Sequence, residues 1–372
     1  MKMIENKKGV SLIVLVITII VIIILAVAVI LSIANNNPIE NAKKAKDAQN
    51  KSTLEEAANL AYADWYTNIK LNRITDEPQK YVEEKLRIQG FYEEDIDKIY
   101  ATDKGISVVT VPDGFVHVSI EDDMGNQTST ATTGYVIKNV NDNNEFVWIP
   151  VNDISEFKRE VFDTNTNYNN CMEPYKNTGS YESEEVEYNK MFESVKKYHG
   201  FYIARYEASK NSDTNKAQSI QDATPWSGAI WGNSMTDPTG GAVEAARAVY
   251  PETDAIIGGA VSTLCYGVEW DHTVRFILKN YPGIASNATG CGNYIGYLVR
   301  TGSNKNYAQN NIYDMCGNAE EWTMESYANK VRILRGARCT ENPVNHTLIY
   351  RGNNFPSQYG NTYGFRIALY IK

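Results

Sequence analysis

Histidine is scarce in this sequence, four in 372 residues, and no HExxH pair occurs, which excludes a zincin-type metal helix. No glycine-rich phosphate loop and no GxSxG turn is present, so neither nucleotide cradling nor a hydrolase elbow is encoded. The five cysteines, Cys171, Cys265, Cys291, Cys316 and Cys339, are odd in number and form no CxxC. That excludes a zinc ribbon or a thioredoxin-like pair. They read equally as one or two disulfides or as small buried hydrophobes with a free thiol. Positive charge is also short: 36 Lys and Arg against 45 Asp and Glu leave a net charge of −9, which argues against a nucleic-acid partner. His117, His199 and His272 stand isolated and read as structural or solvent-facing.

What the chain has is hydrophobic length in one place. Residues 10–34 carry no charge and follow the basic leader MKMIENKKG. A helix over that run extends about 37 Å, enough to cross a hydrocarbon core of about 30 Å. A cleaved signal peptide also starts this way, but its apolar region is shorter and ends in small residues, whereas Asn35, Asn36, Asn37 and Pro38 follow here. The run predicts a single membrane span with the bulk of the chain outside the cell.

Lys7, Lys8, Gly9 and then Val10, Ser11, Leu12 and Ile13 resemble the processing site of type IV prepilins. The resemblance implies a prepilin peptidase that cuts between Gly9 and Val10, and other pilins as partners. Most major pilins carry glutamate at the fifth mature position, where this chain has Val14. A minor pilin, or a pilin-like protein that stays in the membrane, fits that departure better than a major fibre subunit.

After Pro38, the residues Leu54, Ala57, Ala58, Ala61, Trp65 and Ile69 fall on one helical stripe, predicting a stalk helix. Thr75 or Asp76 caps a second short helix ended by Gly90. Alternation at Ile106, Val108, Val109 and Val111, then Phe115, Val116, Val118 and Ile120, predicts a hairpin turning at Pro112, Asp113 and Gly114. Residues 122–133 read as a polar loop or linker. The expected divisions are a leader (1–9), a transmembrane helix (10–34), a stalk helix (35–75), a small α/β connecting region (76–133) and a large domain (134–372).

Beyond residue 134 six motifs occur in order: GYVIKNVNDNNEFVWIPV, GFYIARYEAS, YGVEWDHTVRF, NIYDMCGNAEEWT, RILRGA and YGFRIALYIK. Together they resemble the formylglycine-generating enzyme and sulfatase-modifying-factor family. The resemblance implies an α+β chain: a pilin-like helix followed by a C-type-lectin-like domain, a fold similar to that of the variable proteins of diversity-generating retroelements. It further implies a structural calcium ion held by Asp314, Gly317, Ala319 and Glu321, with hard oxygen donors suited to that ion. The bland alternative makes Asp314 a turn residue and Glu321 a salt-bridged acid. Oxidases of the family bind copper through two cysteines five residues apart, and counting from Gly336 puts those positions near Glu341 and His346. Without the thiols, neither copper nor a catalytic residue is expected.

The remaining candidate is a surface between Arg338 and Tyr363, rich in amides and aromatics: Asn342, Asn345, His346, Tyr350, Asn353, Asn354, Phe355, Gln358, Tyr359, Asn361 and Tyr363. Such side chains suit recognition, tyrosine giving contact area and asparagine adaptable hydrogen bonds; a tolerant Asn-rich loop is the alternative. Arg351 and Arg366 read as buttresses, Trp148, Trp226, Trp270 and Trp322 as core, and PWSGAIWGN (225–233) as loop packing or a sugar ledge. The expected function is a cell-surface or pilus-displayed binding protein for a protein or glycan ligand. The alternatives are a structural pilus subunit and a residual oxidase.

Overall fold

Pro38 opens a long helix, α1 (Pro38–Lys70), where its missing N–H costs nothing. The computed structural model describes residues 38–162, 170–176, 181–255 and 257–372, and the chain divides into two units, Met1–Ala57 and Ala58–Lys372. The apolar stripe expected of this helix is buried at Leu54, Ala57, Ala58, Ala61 and Trp65. The Trp65 indole donates to the Asp76 carbonyl at 2.8 Å.

The membrane placement is corrected. Among the described residues no helix is long and apolar enough to cross a membrane, and α1 carries lysines and acids along its length. The pilin-like anchor and the Gly9–Val10 processing site fall in residues 1–37, outside the described residues.

Two short helices follow, α2 (Pro78–Ile88) and α3 (Glu93–Ile96), then β1 (Ile99–Thr102) paired antiparallel with β2 (Gly105–Val108). The hairpin expected around Pro112 does not form. Instead β3 (Phe115–His117) pairs with β4 (Val136–Asn139), 20 residues on. Pro112 has no N–H to give a ladder, and the Asp113 N–H is taken by the Gly258 carbonyl at 3.0 Å.

Two sheets carry the mixed α+β body. The first orders β3-β4-β5-β6-β16-β9, with β5 Glu145–Pro150, β6 Gly200–Ala204, β9 Ala260–Leu264 and β16 Ile367–Ile371, every pair antiparallel. Its strands β6 and β16 are buried on both faces, with helix α4 (Tyr181–Tyr198) covering them while α6 (Gly267–Asn280) packs on β5. Short pieces lie between them: β7 (Ser209–Lys210) with β8 (Ala217–Gln218), α5 (Ala242–Arg247), and β10 (Ala308–Gln309) with β11 (Ile312–Tyr313). The second sheet orders β14-β13-β12-β15: Arg351–Asn354, Val331–Arg335, Glu320–Tyr327 and Tyr363–Phe365, with β12 and β15 parallel.

A network of buried charges ties the second sheet to α6. Arg335 reaches Asp271 at 2.8 Å and Glu325 at 3.4 Å, Arg351 reaches the same two acids, and Arg159 closes on Glu325. The first turn of α6 is capped from outside by Glu173, whose carboxylate accepts the Gly267 and Val268 N–H groups at 2.5 and 2.8 Å. Trp148, Trp270 and Trp322 are buried as expected, and Trp226 is half-buried against Phe365.

Candidate functional site

Side chains alternate across a strand, so the consecutive acids of AEEW face opposite ways on β12. Glu321 turns inward, where both of its oxygens meet Arg366 at 2.6 and 3.0 Å. Arg366 also donates to the carbonyls of Ala204 and Tyr313, so it acts as the expected buttress. Glu320 turns to the other face, which it shares with its register partner Tyr363.

Space for Glu320 comes from Gly352 on β14: a Cβ there would sit 2.0 Å from the Glu320 carboxylate and 3.3 Å from the Tyr350 ring. Glu320 is 3% exposed. Among the described residues its one charged partner is Arg338, with Nε 3.8 Å away, and that guanidinium bonds Glu341 at 2.8 Å. Burial pushes the Glu320 carboxyl up to about 7, against the pull of Arg338 and with the help of Glu341.

The amide and aromatic residues expected to form a recognition surface are all exposed or half-exposed. Asn342, Asn345, Asn353, Phe355, Gln358, Tyr359 and Asn361 are exposed, and His346, Tyr350, Asn354 and Tyr363 half-exposed. Several hold one another in place. The Asn354 amide donates to the Tyr363 hydroxyl at 2.9 Å, and His346 lies edge-on to Tyr350 with centroids 4.4 Å apart. His346 Nε2 is 3.6 Å from Glu341, an imidazole close to an acid. The aromatic ledge is not free for a sugar: Trp231 is buried, donates to the Thr323 carbonyl at 3.0 Å and carries Arg332 on its face.

Of the calcium set, Asp314, Gly317 and Ala319 lie on the turn before β12 and Glu321 on the strand itself. Asp314 sits in the left-handed region (φ 58°), and Gly317 (φ 71°) brings its backbone so near Asn293 that a Cβ would lie 2.3 Å from that carbonyl. One Asp314 oxygen accepts the Gly302 N–H at 2.9 Å; the other is buried without a partner. Burial raises Asp314 to about 6 and pushes Glu207 far above the usual carboxylate range. Three interior acids, Glu207, Asp314 and Glu321, thus share the one guanidinium of Arg366. An orphaned carboxylate oxygen amid excess negative charge fits a hard cation. Both Glu321 oxygens are spent on Arg366, however, and among the described residues no three acid, imidazole or thiol groups converge as a metal cage. The fit therefore rests on Asp314 and on the backbone of Gly317 and Ala319.

All five cysteines are free thiols, with Cys171, Cys265, Cys316 and Cys339 buried and Cys291 half-buried. Burial pushes the Cys171 thiol up to about 12 and raises that of Cys339, the opposite of activation.

Sequence reasoning passed over Glu320 and Glu207. The doubled acid before Trp322 in a strand was the available signal, since alternation forces one of the two away from the interior ion pair.

Residues 279–371 match the sulfatase-modifying factor enzyme 1-like domain family. No curated protein matches the chain. Similar solved structures include PvdO from Pseudomonas aeruginosa (15% identity, TM-score 0.38, covering 64% of this chain and 98% of that one). CarF (18%, TM-score 0.31, 46% and 87%) and Treponema denticola variable protein 1 (12%, TM-score 0.23, 73% and 98%) are two others. The stretch similar to that family, residues 279–371, runs from the end of α6 through β16.

Proposed function

We propose that this chain is a binding protein whose C-type-lectin-like head recognises a protein or glycan through the face between Arg338 and Tyr363, without oxidase chemistry. The observation that carries the reading is the state of that face. Eleven amide, aromatic and imidazole side chains reach solvent there, with no buried member, on a segment pinned to the second sheet by β14 and β15. Rigid aromatics with adaptable amides supply contact area at low entropic cost. Counting from Gly336, the positions of the family's copper thiols fall near Glu341 and His346, which cannot offer a soft ligand pair.

The test screens the full chain against glycan arrays and displayed peptide libraries, beside a variant carrying Gln358→Ala, Tyr359→Ala and Asn361→Ala. Ligands that the variant loses support the reading. Retained copper with oxygen consumption on a cysteine-containing peptide overturns it.

A further inference from the structure

Within that face one group is out of balance. Glu320 is a carboxylate 3% exposed, and no described residue donates a hydrogen bond to it. Arg338, 3.8 Å away, is committed to Glu341. A buried acid left without donors loses its hydration and recovers little in return. A fold that needed only stability would fill this position with an apolar side chain, as it does two residues on with Trp322.

The surroundings define what would complete it. Two acids, Glu320 and Glu341, face one guanidinium, so the local balance is negative. Tyr363 stands beside Glu320 in register, and Tyr350 closes on the same Gly352 backbone that makes room for the carboxylate. Both rings are held by neighbours, Asn354 and His346, so their positions are set before a ligand arrives. A buried carboxylate with tyrosines as neighbours suits a guanidinium or ammonium group, through charge-assisted hydrogen bonds and cation–π contact. Arg338 is 35% exposed on a flexible stem and already bonded to Glu341, so it moves aside without losing its own partner. Phe355 and Tyr359 of the same segment are 58% and 60% exposed and offer aromatic area that suits a peptide segment better than a free cation.

We propose that Glu320 is the anchor for a basic side chain, arginine or lysine, of a peptide or protein partner lying across the 338–363 face. This rests on the binding-face reading and adds the chemistry of the ligand.

The probe is a random displayed peptide library selected on the full chain. Enriched peptides are synthesised and titrated against the wild type, Glu320→Gln, and the Gln358/Tyr359/Asn361 triple alanine variant. The expected result is a basic residue at one recurring position, and a loss of about ten- to hundredfold in affinity when Glu320→Gln removes the charge. Replacing that arginine with citrulline in the peptide gives the same loss on unaltered protein, so the answer does not depend on how the Glu320→Gln chain folds. Peptides that need Tyr359 and its neighbours but bind citrulline and arginine forms equally overturn the anchor and leave the face intact. Selection of no peptide sensitive to the triple variant overturns both.

Discussion

Glu321 and Arg366 meet fork to fork in the interior, 2.6 and 3.0 Å apart, with neither side chain exposed. The pair joins β12 to the final strand segment, and Arg366 carries the charge of Glu207 and Asp314 as well. Replacing a buried pair with matched apolar groups is often harmless, but removing one partner strands the other. Arg366→Met therefore destabilises the fold by about 3–5 kcal/mol, read from urea unfolding at neutral pH. A change below about 1 kcal/mol would mean that water already reaches these carboxylates.

The unpartnered oxygen of Asp314 makes a separate prediction about calcium. If Asp314 with the Gly317 and Ala319 backbone holds the ion, calcium at about 100 times its dissociation constant adds about 2.7 kcal/mol to stability. Magnesium, which demands stricter octahedral geometry, adds less. Thermal melts of the wild type and Asp314→Ala with and without calcium decide it. An equal response in both chains places any bound calcium elsewhere.

The contrast between Glu320 and Glu321 shows what the sequence made legible. The order of six motifs was enough to expect a mixed α+β domain ending in YGFRIALYIK, and periodicity placed the buried stripe of α1. The hairpin at Pro112 was misread because alternation reports that a segment is a strand but not which strand it pairs with; β3 found β4 across a long loop. Arg351 was legible as a buttress, but its partners Asp271 and Glu325, and the Arg335 that shares them, were beyond reach for the same reason. Those residues are far apart in the chain, and only tertiary packing sets the burial that makes each acid depend on an arginine.

Two buried groups predict opposite responses to pH. Burial, with Glu325 nearby, raises Glu173 to about 8 against the pull of Arg159 and of the N–H groups at the start of α6. An acid with a raised folded pKa contributes stability that is full below its unfolded value, about 4.3, and is lost as pH rises through about 8. Burial lowers His272 to about 4, against the Pro150 carbonyl it contacts at 2.9 Å. Its contribution is full above the unfolded value near 6.5 and is lost as pH falls through about 4. Glu173→Gln should flatten the decline in stability on the alkaline side, and His272→Asn the decline on the acid side. Urea midpoints from pH 4 to pH 9 for the three chains test this; variants with unchanged slopes would locate the titration in other groups.

The 338–363 face should be separable from the fold beneath it. Asn345, Gln358 and Asn361 are exposed, and surface substitutions remote from caps and packing usually stay within about 0.5 kcal/mol. Each of them changed to alanine should leave the melting temperature nearly unmoved. Trp231 is buried, its indole N–H donating to the Thr323 carbonyl and its backbone N–H to the Pro356 carbonyl of the neighbouring segment at 2.8 Å. Trp231→Ala should cost about 3–5 kcal/mol. If the three exposed amides proved as costly as the tryptophan, they would be holding the loop together, and a face that cannot vary without unfolding is a poor candidate for recognition. If they are silent in stability while a selected ligand loses affinity, the residues are spent on contact, because the fold does not otherwise need them.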